Sequence, residues 1–142
     1  MRSLHFWVPG KPIPKGSKVP GVTKDGRPYL REQTGSKAWE KVVRDYAWKA
    51  FDEPAPLDCP VRVRAIFHLP RPKKSKFGDY PAGNPDADKL FRAIGDAMKG
   101  IVYTDDGRII SEAPGKKWAE DGRVGVWIEV EWAEPGERLL LF

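Results

Sequence analysis

The chain has 142 residues, of which 40% are hydrophobic and 32% are charged, and its formal net charge is +5. This composition indicates one globular domain, and it excludes a transmembrane protein because no apolar run approaches the roughly 20 residues that a bilayer requires. The single cysteine, Cys59, excludes an internal disulfide and a cysteine-based zinc site. No signal peptide is predicted, and an intracellular location is therefore expected.

The positive charge is unevenly distributed along the chain. Residues 1–49 contain eleven Lys or Arg against four Asp or Glu, and residues 62–80 contain six against one. Residues 118–142 reverse the balance, with two against six. A basic front half is typical of proteins that bind a polyanion such as nucleic acid, although a basic surface that serves only solubility would have the same composition.

The first part of the chain predicts a strand, a long basic loop and a helix. Residues 4–9 alternate as a strand does, whereas residues 9–35 are rich in Pro, Gly, Lys and Arg and lack periodicity. So long a stretch without periodicity indicates a functional or disordered loop. A helix is predicted over residues 36–51, with Ser36 as its N-cap and Glu40 in a position that resembles a capping box.

The second part predicts a strand, an amphipathic helix and a closing hairpin. The strand over residues 60–70 has one apolar face, made of Val61, Val63, Ala65, Phe67 and Leu69. A second basic loop, residues 71–83, leads to a helix whose apolar face is made of Leu90, Ala93, Ile94, Ala97 and Met98. After a turn, residues 108–118 and 123–132 are predicted to pair as a hairpin. The order β-α-β-α-β-β predicts an α/β (α+β) fold, a single domain with a mixed sheet and two main helices.

Four aspartates flank the second predicted helix: Asp86, Asp88, Asp105 and Asp106. Each has a structural explanation of its own, since Asp86 suits an N-cap, Asp88 complements the helix dipole, and the later pair suits a tight turn. If the chain doubles back so that the two pairs meet, the carboxylates form a site too negative to exist without a cation. The sequence leaves both interpretations open.

The residue types restrict which cation such a site would bind. The chain has no cysteine pair and only two isolated histidines, His5 and His68, so soft or borderline metals lack ligands. Carboxylate oxygens suit Mg²⁺, which often shares its coordination shell with substrate phosphates. Basic segments around an acidic centre are the arrangement that metal-dependent phosphodiester cleavage requires.

The segment PDADKLFRAIGDAMKGIVYTDD, residues 85–106, resembles the signature of the RusA-type Holliday-junction resolvases of bacteria, prophages and phages. The matching positions are Asp86, Asp88, Leu90, Asp96, Ala97, Gly100, Asp105 and Asp106. The segment PGKPIPKGS, residues 9–17, is similar to the N-terminal segment of phage-type members. The resemblance implies a RusA-like nuclease domain over residues 1–142 that resolves four-way junctions by paired cuts, in recombination, repair or phage DNA processing.

By this resemblance, Asp86, Asp88 and Asp106 would be the catalytic carboxylates that bind Mg²⁺, for which Mn²⁺ can substitute. Two positions depart from the family pattern: Lys89 stands where the best-known members have Asn, and Arg92 stands where they have a catalytic Lys. Arg92 lies one helical turn from Asp88, where it either stabilises charge on the phosphate or pairs with a carboxylate. Lys89 is the other candidate for the role of that lysine.

Branched DNA and a second copy of the chain are the expected partners, with no membrane and no small-molecule cofactor. Residues of the basic segments are expected to contact DNA phosphates: Lys15, Lys18, Arg71, Lys73, Lys74 and Lys76. The resemblance implies a homodimer in the cytoplasm of a bacterial or phage-infected cell. The apolar residues Trp7, Ile66 and Trp127 on the second faces of the strands agree with it, although the first helix and the tail of one chain would cover them equally well.

The alternative function is a non-catalytic nucleic-acid-binding module in which the acidic cluster is structural. Both functions require the basic segments, and only the nuclease requires a metal at the aspartates.

Overall fold

A mixed four-stranded sheet with two helices on one face forms the core of the computed structural model, which describes residues 1–16, 18–32 and 34–142. The elements are β1 (Arg2–Pro9), β2 (Lys18–Val22), β3 (Pro28–Glu32), α1 (Ser36–Ala50), β4 (Val61–Leu69), α2 (Ala87–Met98), β5 (Ile109–Trp118) and β6 (Gly125–Trp132). A short 3-10 helix, Asp106–Arg108, lies between α2 and β5. The predicted fold class, a mixed sheet with two main helices, is confirmed.

The strand order in the main sheet is β1-β6-β4-β5. β6 pairs antiparallel with both β1 and β4, whereas β5 pairs parallel with β4 at the edge of the sheet. The prediction that residues 108–118 and 123–132 form a hairpin is therefore wrong, because β4 lies between the two strands. The burial patterns agree with this order: β6 alternates buried and half-buried residues over most of its length, while every residue of β5 is half-buried or exposed.

The basic segment 9–35 was predicted as a loop without regular structure, and this is wrong in its middle part. There β2 and β3 form a separate two-stranded antiparallel sheet, whose turn is held by a hydrogen bond from the Thr23 amide to the Arg27 carbonyl at 2.9 Å. A proline and a glycine within β2 interrupt the alternation that marks a strand. Positions 17 and 33 of the segment lie outside the described residues.

The first helix begins differently from the prediction. Gly35, with a left-handed φ of 89°, occupies the N-cap position, and Ser36 is the first helical residue and is buried. Glycine adopts this backbone conformation without a steric penalty. The prediction that Ser36 caps the helix together with Glu40 is wrong, because the Glu40 carboxylate pairs instead with Lys15.

The predicted apolar faces of β4 and α2 are confirmed. All of their members are buried: Val61, Val63, Ala65, Phe67 and Leu69 in β4, and Leu90, Ala93, Ile94, Ala97 and Met98 in α2. They share one hydrophobic core with residues of β1, β6 and α1. This packing fixes α2 on the sheet, so its N-terminal turn has a defined position near the edge strand β5. Within the described residues, no helix combines the length and the apolar character needed to cross a bilayer.

Candidate active site

Two of the four aspartates line one cavity of about 440 Å³ beside α2. Asp88 lies in the first turn of α2, and Asp106 begins the 3-10 helix before β5. Both residues are exposed, and neither carboxylate forms a hydrogen bond or an ion pair with the described part of the chain. Arg92, Asp96 and Glu112 also line the cavity. Residues far apart in the sequence therefore present carboxylate oxygens and one guanidinium to the same space.

The chain returns to this cavity through a turn that is fastened to α2. The buried Tyr103 hydroxyl donates a hydrogen bond to the Gly95 carbonyl at 2.6 Å, and burial raises the pKa of Tyr103, so the hydroxyl keeps its proton. The Gly100 amide, at a φ of 81°, donates to the Tyr103 carbonyl at 2.7 Å. Because these hydrogen bonds hold the turn in place, Asp106 lies on the side of α2 that carries Asp88.

Asp105 has the turn-forming role that the structural interpretation predicted. Its carboxylate accepts a hydrogen bond from the Gly107 amide at 3.2 Å and pairs with the Lys99 ammonium at 3.1 Å. The hydrogen bond from Lys99 holds the pKa of Asp105 below its usual range. The Asp105 carboxylate thus has partners in the turn, whereas that of Asp106 forms no hydrogen bond or ion pair with the part of the chain that the structure describes.

Asp86 faces a second cavity of about 590 Å³, which Lys89 and Trp118 also line. It occupies the N-cap position of α2 as predicted, but its side chain makes no capping hydrogen bond, and its carboxylate lies 3.7 Å from the Lys89 ammonium. Within the described residues, no three acidic, histidine or cysteine side chains lie close enough together to hold a metal ion. The structure therefore brings Asp88 and Asp106 together and leaves Asp86 in a neighbouring cavity.

Glu112 is an acidic residue of the first cavity that the sequence did not single out. It is an exposed residue of β5, and a glutamate in a strand has the pattern of any solvent-facing position. Its proximity to Asp88 depends on β5 lying at the sheet edge beside α2. The sequence contained no signal for that arrangement.

The donors of the first cavity fit a hard divalent cation. Mg²⁺ is usually bound in proteins by one or two carboxylates, keeps several water molecules and shares substrate phosphates. Asp88 and Asp106 are exposed carboxylates without an ion-pair partner in the described chain, so both are available as oxygen ligands.

Lys116 is a second residue that the sequence did not single out. From β5, its ammonium donates hydrogen bonds to the carbonyls of Gly83 and Pro85, at 2.8 and 2.9 Å. These bonds attach the backbone just before Asp86 to the edge strand. Nothing in the sequence distinguishes Lys116 from its neighbour Lys117.

The residues predicted to contact DNA have different surroundings. Four are exposed lysines: Lys18, Lys73, Lys74 and Lys76. Arg71 is exposed and pairs with Asp79 at 3.0 Å.

Lys15 is engaged in contacts within the protein. Its ammonium lies 2.9 Å from carboxylate oxygens of both Glu40 and Asp96, and hydrogen bonding to Asp96 and then Glu40 raises the pKa of Lys15. One side chain thus connects its own segment to α1 and α2.

Comparison with known proteins places the chain in a family. Over 139 residues it is 26% identical to the uncharacterized protein YqaN of Bacillus subtilis (strain 168), an alignment that covers 90% of this chain and 96% of that protein. The sequence profile of the family described as Endodeoxyribonuclease RusA matches residues 9–129, which include α1, α2 and every residue that lines the first cavity. The chain therefore belongs to the RusA endodeoxyribonuclease family.

Proposed function

We propose that this protein is a Mg²⁺-dependent, structure-specific endodeoxyribonuclease that resolves four-way DNA junctions by paired phosphodiester hydrolysis. The observation that carries the proposal is the cavity in which the Asp88 and Asp106 carboxylates lie with the Arg92 guanidinium. Membership of an endodeoxyribonuclease family supports DNA as the substrate and the phosphodiester as the bond that is cut. We expect the reaction in the cytoplasm of a bacterial or phage-infected cell.

Asp88 and Asp106 would be the principal ligands of the metal. Asp86 is proposed as the third carboxylate because it is exposed, lies two residues before Asp88 and does not use its side chain as a cap. It would have to turn from the neighbouring cavity toward the ion. When bound, Mg²⁺ supplies an activated water and offsets negative charge on the phosphodiester, and Mn²⁺ should substitute because it accepts the same oxygen ligands.

Arg92 is proposed to stabilise charge on the scissile phosphate. Its guanidinium lines the cavity of Asp88 and Asp106, and a guanidinium does not readily give up a proton. It can therefore hold an oxyanion by hydrogen bonds but cannot act as a proton donor in turnover. Lys89, which lies beside Asp86 at the second cavity, is the candidate for contact with the adjoining phosphate.

The DNA backbone is proposed to lie along the basic segment that precedes α2. Lys73, Lys74 and Lys76 are exposed there, and the segment leads directly to the aspartates. Arg71, at the start of this segment, and Lys18 of β2 are proposed to add further contacts. Each lysine that neutralises a phosphate releases counterions, so the binding should be strongly salt-dependent.

Two copies of the chain are proposed to act together, because paired nicks in one junction require two active sites. On the sheet face opposite the helices, Trp7, Ile66 and Trp127 contribute to a cavity of about 540 Å³. The chain's own tail covers part of this face, with the Phe142 ring 5.0 Å from the Arg62 guanidinium. The remaining apolar surface is the proposed contact with the second copy.

Cleavage of a synthetic four-way junction tests the proposal. With Mg²⁺ or Mn²⁺ we expect symmetric nicks in opposing strands, and with Ca²⁺ we expect binding without cleavage. A linear duplex of the same sequence is the matched control and should not be cut. Cleavage that persists in excess EDTA would contradict the metal mechanism, and junction binding without cleavage under every metal condition would favour the non-catalytic module.

A further inference from the structure

Residues 10–16, here called the clamp loop, connect β1 to the region before β2 and lie across α2. The Lys15 amide donates a hydrogen bond to the Lys89 carbonyl at 3.0 Å. The Lys15 ammonium lies 2.9 Å from Asp96 on α2 and 2.9 Å from Glu40 on α1. One residue thus attaches the loop to both helices, through its backbone at the start of α2 and through its side chain further along.

The end of the clamp loop touches a residue of the proposed active site. Gly16 lies so close to the Arg92 guanidinium that a Cβ atom added at Gly16 would overlap with Nη1 of Arg92. Arg92 is an exposed residue with a flexible side chain, so its guanidinium would have to move to make room. The position of Gly16 therefore limits where the Arg92 guanidinium can lie.

We propose that Lys15 is a positioning residue that, through Gly16, sets the place of the Arg92 guanidinium at the cavity of Asp88 and Asp106. The proposal rests on the proposed function, in which Arg92 contacts the scissile phosphate. Asp96, one of the two carboxylate partners of Lys15, lines the same cavity.

This role differs from the DNA contact that the sequence predicted for Lys15. To reach a phosphate, the ammonium would have to leave two carboxylates and leave both of them without their cation. Salt dependence separates the two roles. Loss of a phosphate contact lowers the slope of log affinity against log salt by about one, whereas loss of a positioning residue leaves the slope unchanged.

The first test compares Gly16→Ala with Gly26→Ala. Both glycines have left-handed backbones, with φ of 90° and 87°, but the space around Gly26 contains no neighbouring atom within 4 Å among the described residues. The two variants therefore share the backbone strain and differ in contact with Arg92. We expect Gly16→Ala to lower kcat for junction cleavage by about 10- to 100-fold with unchanged junction affinity, since a misplacement of about 1 Å can cost that much. Gly26→Ala should cleave at the wild-type rate.

The second test asks whether the effect passes through Arg92. In an Arg92→Ala background, Gly16→Ala and Lys15→Met should cause no further loss of kcat, because the group that they position has gone. Lys15→Met alone should lower kcat and leave the salt slope unchanged. Additive losses, a slope reduced by about one in Lys15→Met, or equal rates for Gly16→Ala and Gly26→Ala would each overturn the proposal.

A readout without catalysis separates this proposal from the proposed function. The NMR signal of the Arg92 Nε–Hε group, assigned by its loss in Arg92→Lys, should shift in Gly16→Ala and in Lys15→Met but not in Gly26→Ala. An unshifted signal in the first two variants would overturn the proposal that Lys15 and Gly16 position Arg92, even if the wild-type protein cuts junctions. If the wild-type protein cuts no junction while the signal shifts as expected, the proposed function fails and the positioning of Arg92 stands.

Discussion

The four aspartates around α2 differ in whether their carboxylates are already engaged. Asp105 caps a turn and pairs with Lys99, and Asp86 lies near Lys89, but Asp88 and Asp106 form no ion pair with the described chain. An exposed carboxylate without partners contributes little to folding. Asp88 and Asp106 are therefore the carboxylates that the proposed metal would bind without first breaking an ion pair within the described chain.

Asp88→Asn should separate chemistry from binding. The substitution keeps the shape and the place of the side chain in α2 but removes a charge that a metal ligand needs. We expect nicking of a four-way junction to be lost, while junction affinity, measured by gel shift in Ca²⁺, stays equal or rises because a charge that repels phosphate has gone.

Asp105→Asn is the matched control for that experiment. Its carboxylate serves the turn, so the variant should still cut and should lose some resistance to urea. Normal cutting by Asp88→Asn would mean that the aspartates at both ends of α2 are only caps and turns.

Lys116→Met tests how far the site depends on the attachment of its supporting loop. The substitution keeps the aliphatic stem but removes both hydrogen bonds to the backbone before Asp86. We expect a loss of stability of about 1–3 kcal/mol and a loss of Mn²⁺ affinity or cleavage of about 10- to 100-fold, as for other residues that support ligands.

Lys117→Met is the control, because its ammonium pairs with exposed Glu120 at 3.3 Å and, among the described residues, forms no hydrogen bond with that loop. Such a surface ion pair contributes about 0–1 kcal/mol to the free energy of unfolding. Unfolding in urea and calorimetric titration with Mn²⁺ measure both effects. Equal metal affinity in the two variants would remove Lys116 from any role at the site.

At the scale of the elements, periodicity predicted what depends on local pattern. The buried faces of β4 and α2 follow from alternation and from the 3.6-residue repeat, and both are confirmed. The predicted hairpin of residues 108–118 and 123–132 was wrong because β4 lies between these two strands in the sheet. β4 comes much earlier in the sequence, so the local pattern of the two strands does not indicate its position. β2 was missed because a proline and a glycine interrupt its pattern, and β3 was missed because only four residues follow its initial proline.

In the candidate site, too, local sequence pattern predicted single residues but not which residues meet in space. The aspartates were predicted from their place at the ends of a helix, and the return of the chain that brings Asp106 towards Asp88 was only a steric possibility. The sequence did not indicate the hydrogen bond of Tyr103 that holds this turn against α2. Glu112 and Lys116 gave no local signal, since Glu112 shares its cavity with residues of α2 and Lys116 bonds to the loop before α2. Lys15 did carry a signal in the sequence, its positive charge, which favoured a DNA contact. The structure places the carboxylates of Glu40 and Asp96 beside its ammonium.

The basic segment before α2 makes a prediction of its own. Replacement of Lys73, Lys74 and Lys76 by Ala should weaken junction binding and lower the slope of log affinity against log salt by about three, roughly one per lost phosphate contact. Cleavage should recover at saturating protein because the carboxylates are intact. Fluorescence anisotropy at several salt concentrations measures the slope.

The control removes the same charge from another surface, with Lys37, Lys41 and Lys49 of the exposed side of α1 replaced by Ala. If both triple variants change the slope equally, binding reflects net charge alone and the segment before α2 has no special place in it.

At the scale of the whole molecule, the sheet has two unlike faces. One face is covered by both helices and forms the core, while on the other the half-buried Trp7, Ile66 and Trp127 line an open cavity. We expect two copies to associate through this second face, and light scattering at micromolar concentration should then give about twice the 16.0 kDa chain mass.

Trp127→Asp should dissociate that dimer, because the apolar indole is lost from the contact and the carboxylate in its place must give up hydration when the second copy covers it. Trp48→Asp is the matched control, since Trp48 is 72% exposed on α1 and is replaced by the same charge. The Trp127 variant should scatter as a monomer and nick single strands without pairing its cuts, while the Trp48 variant keeps the dimer mass and the paired cuts. A wild-type monomer that still makes paired symmetric nicks would contradict the two-site arrangement, and a Trp127→Asp variant that keeps the dimer mass would place the interface on another surface.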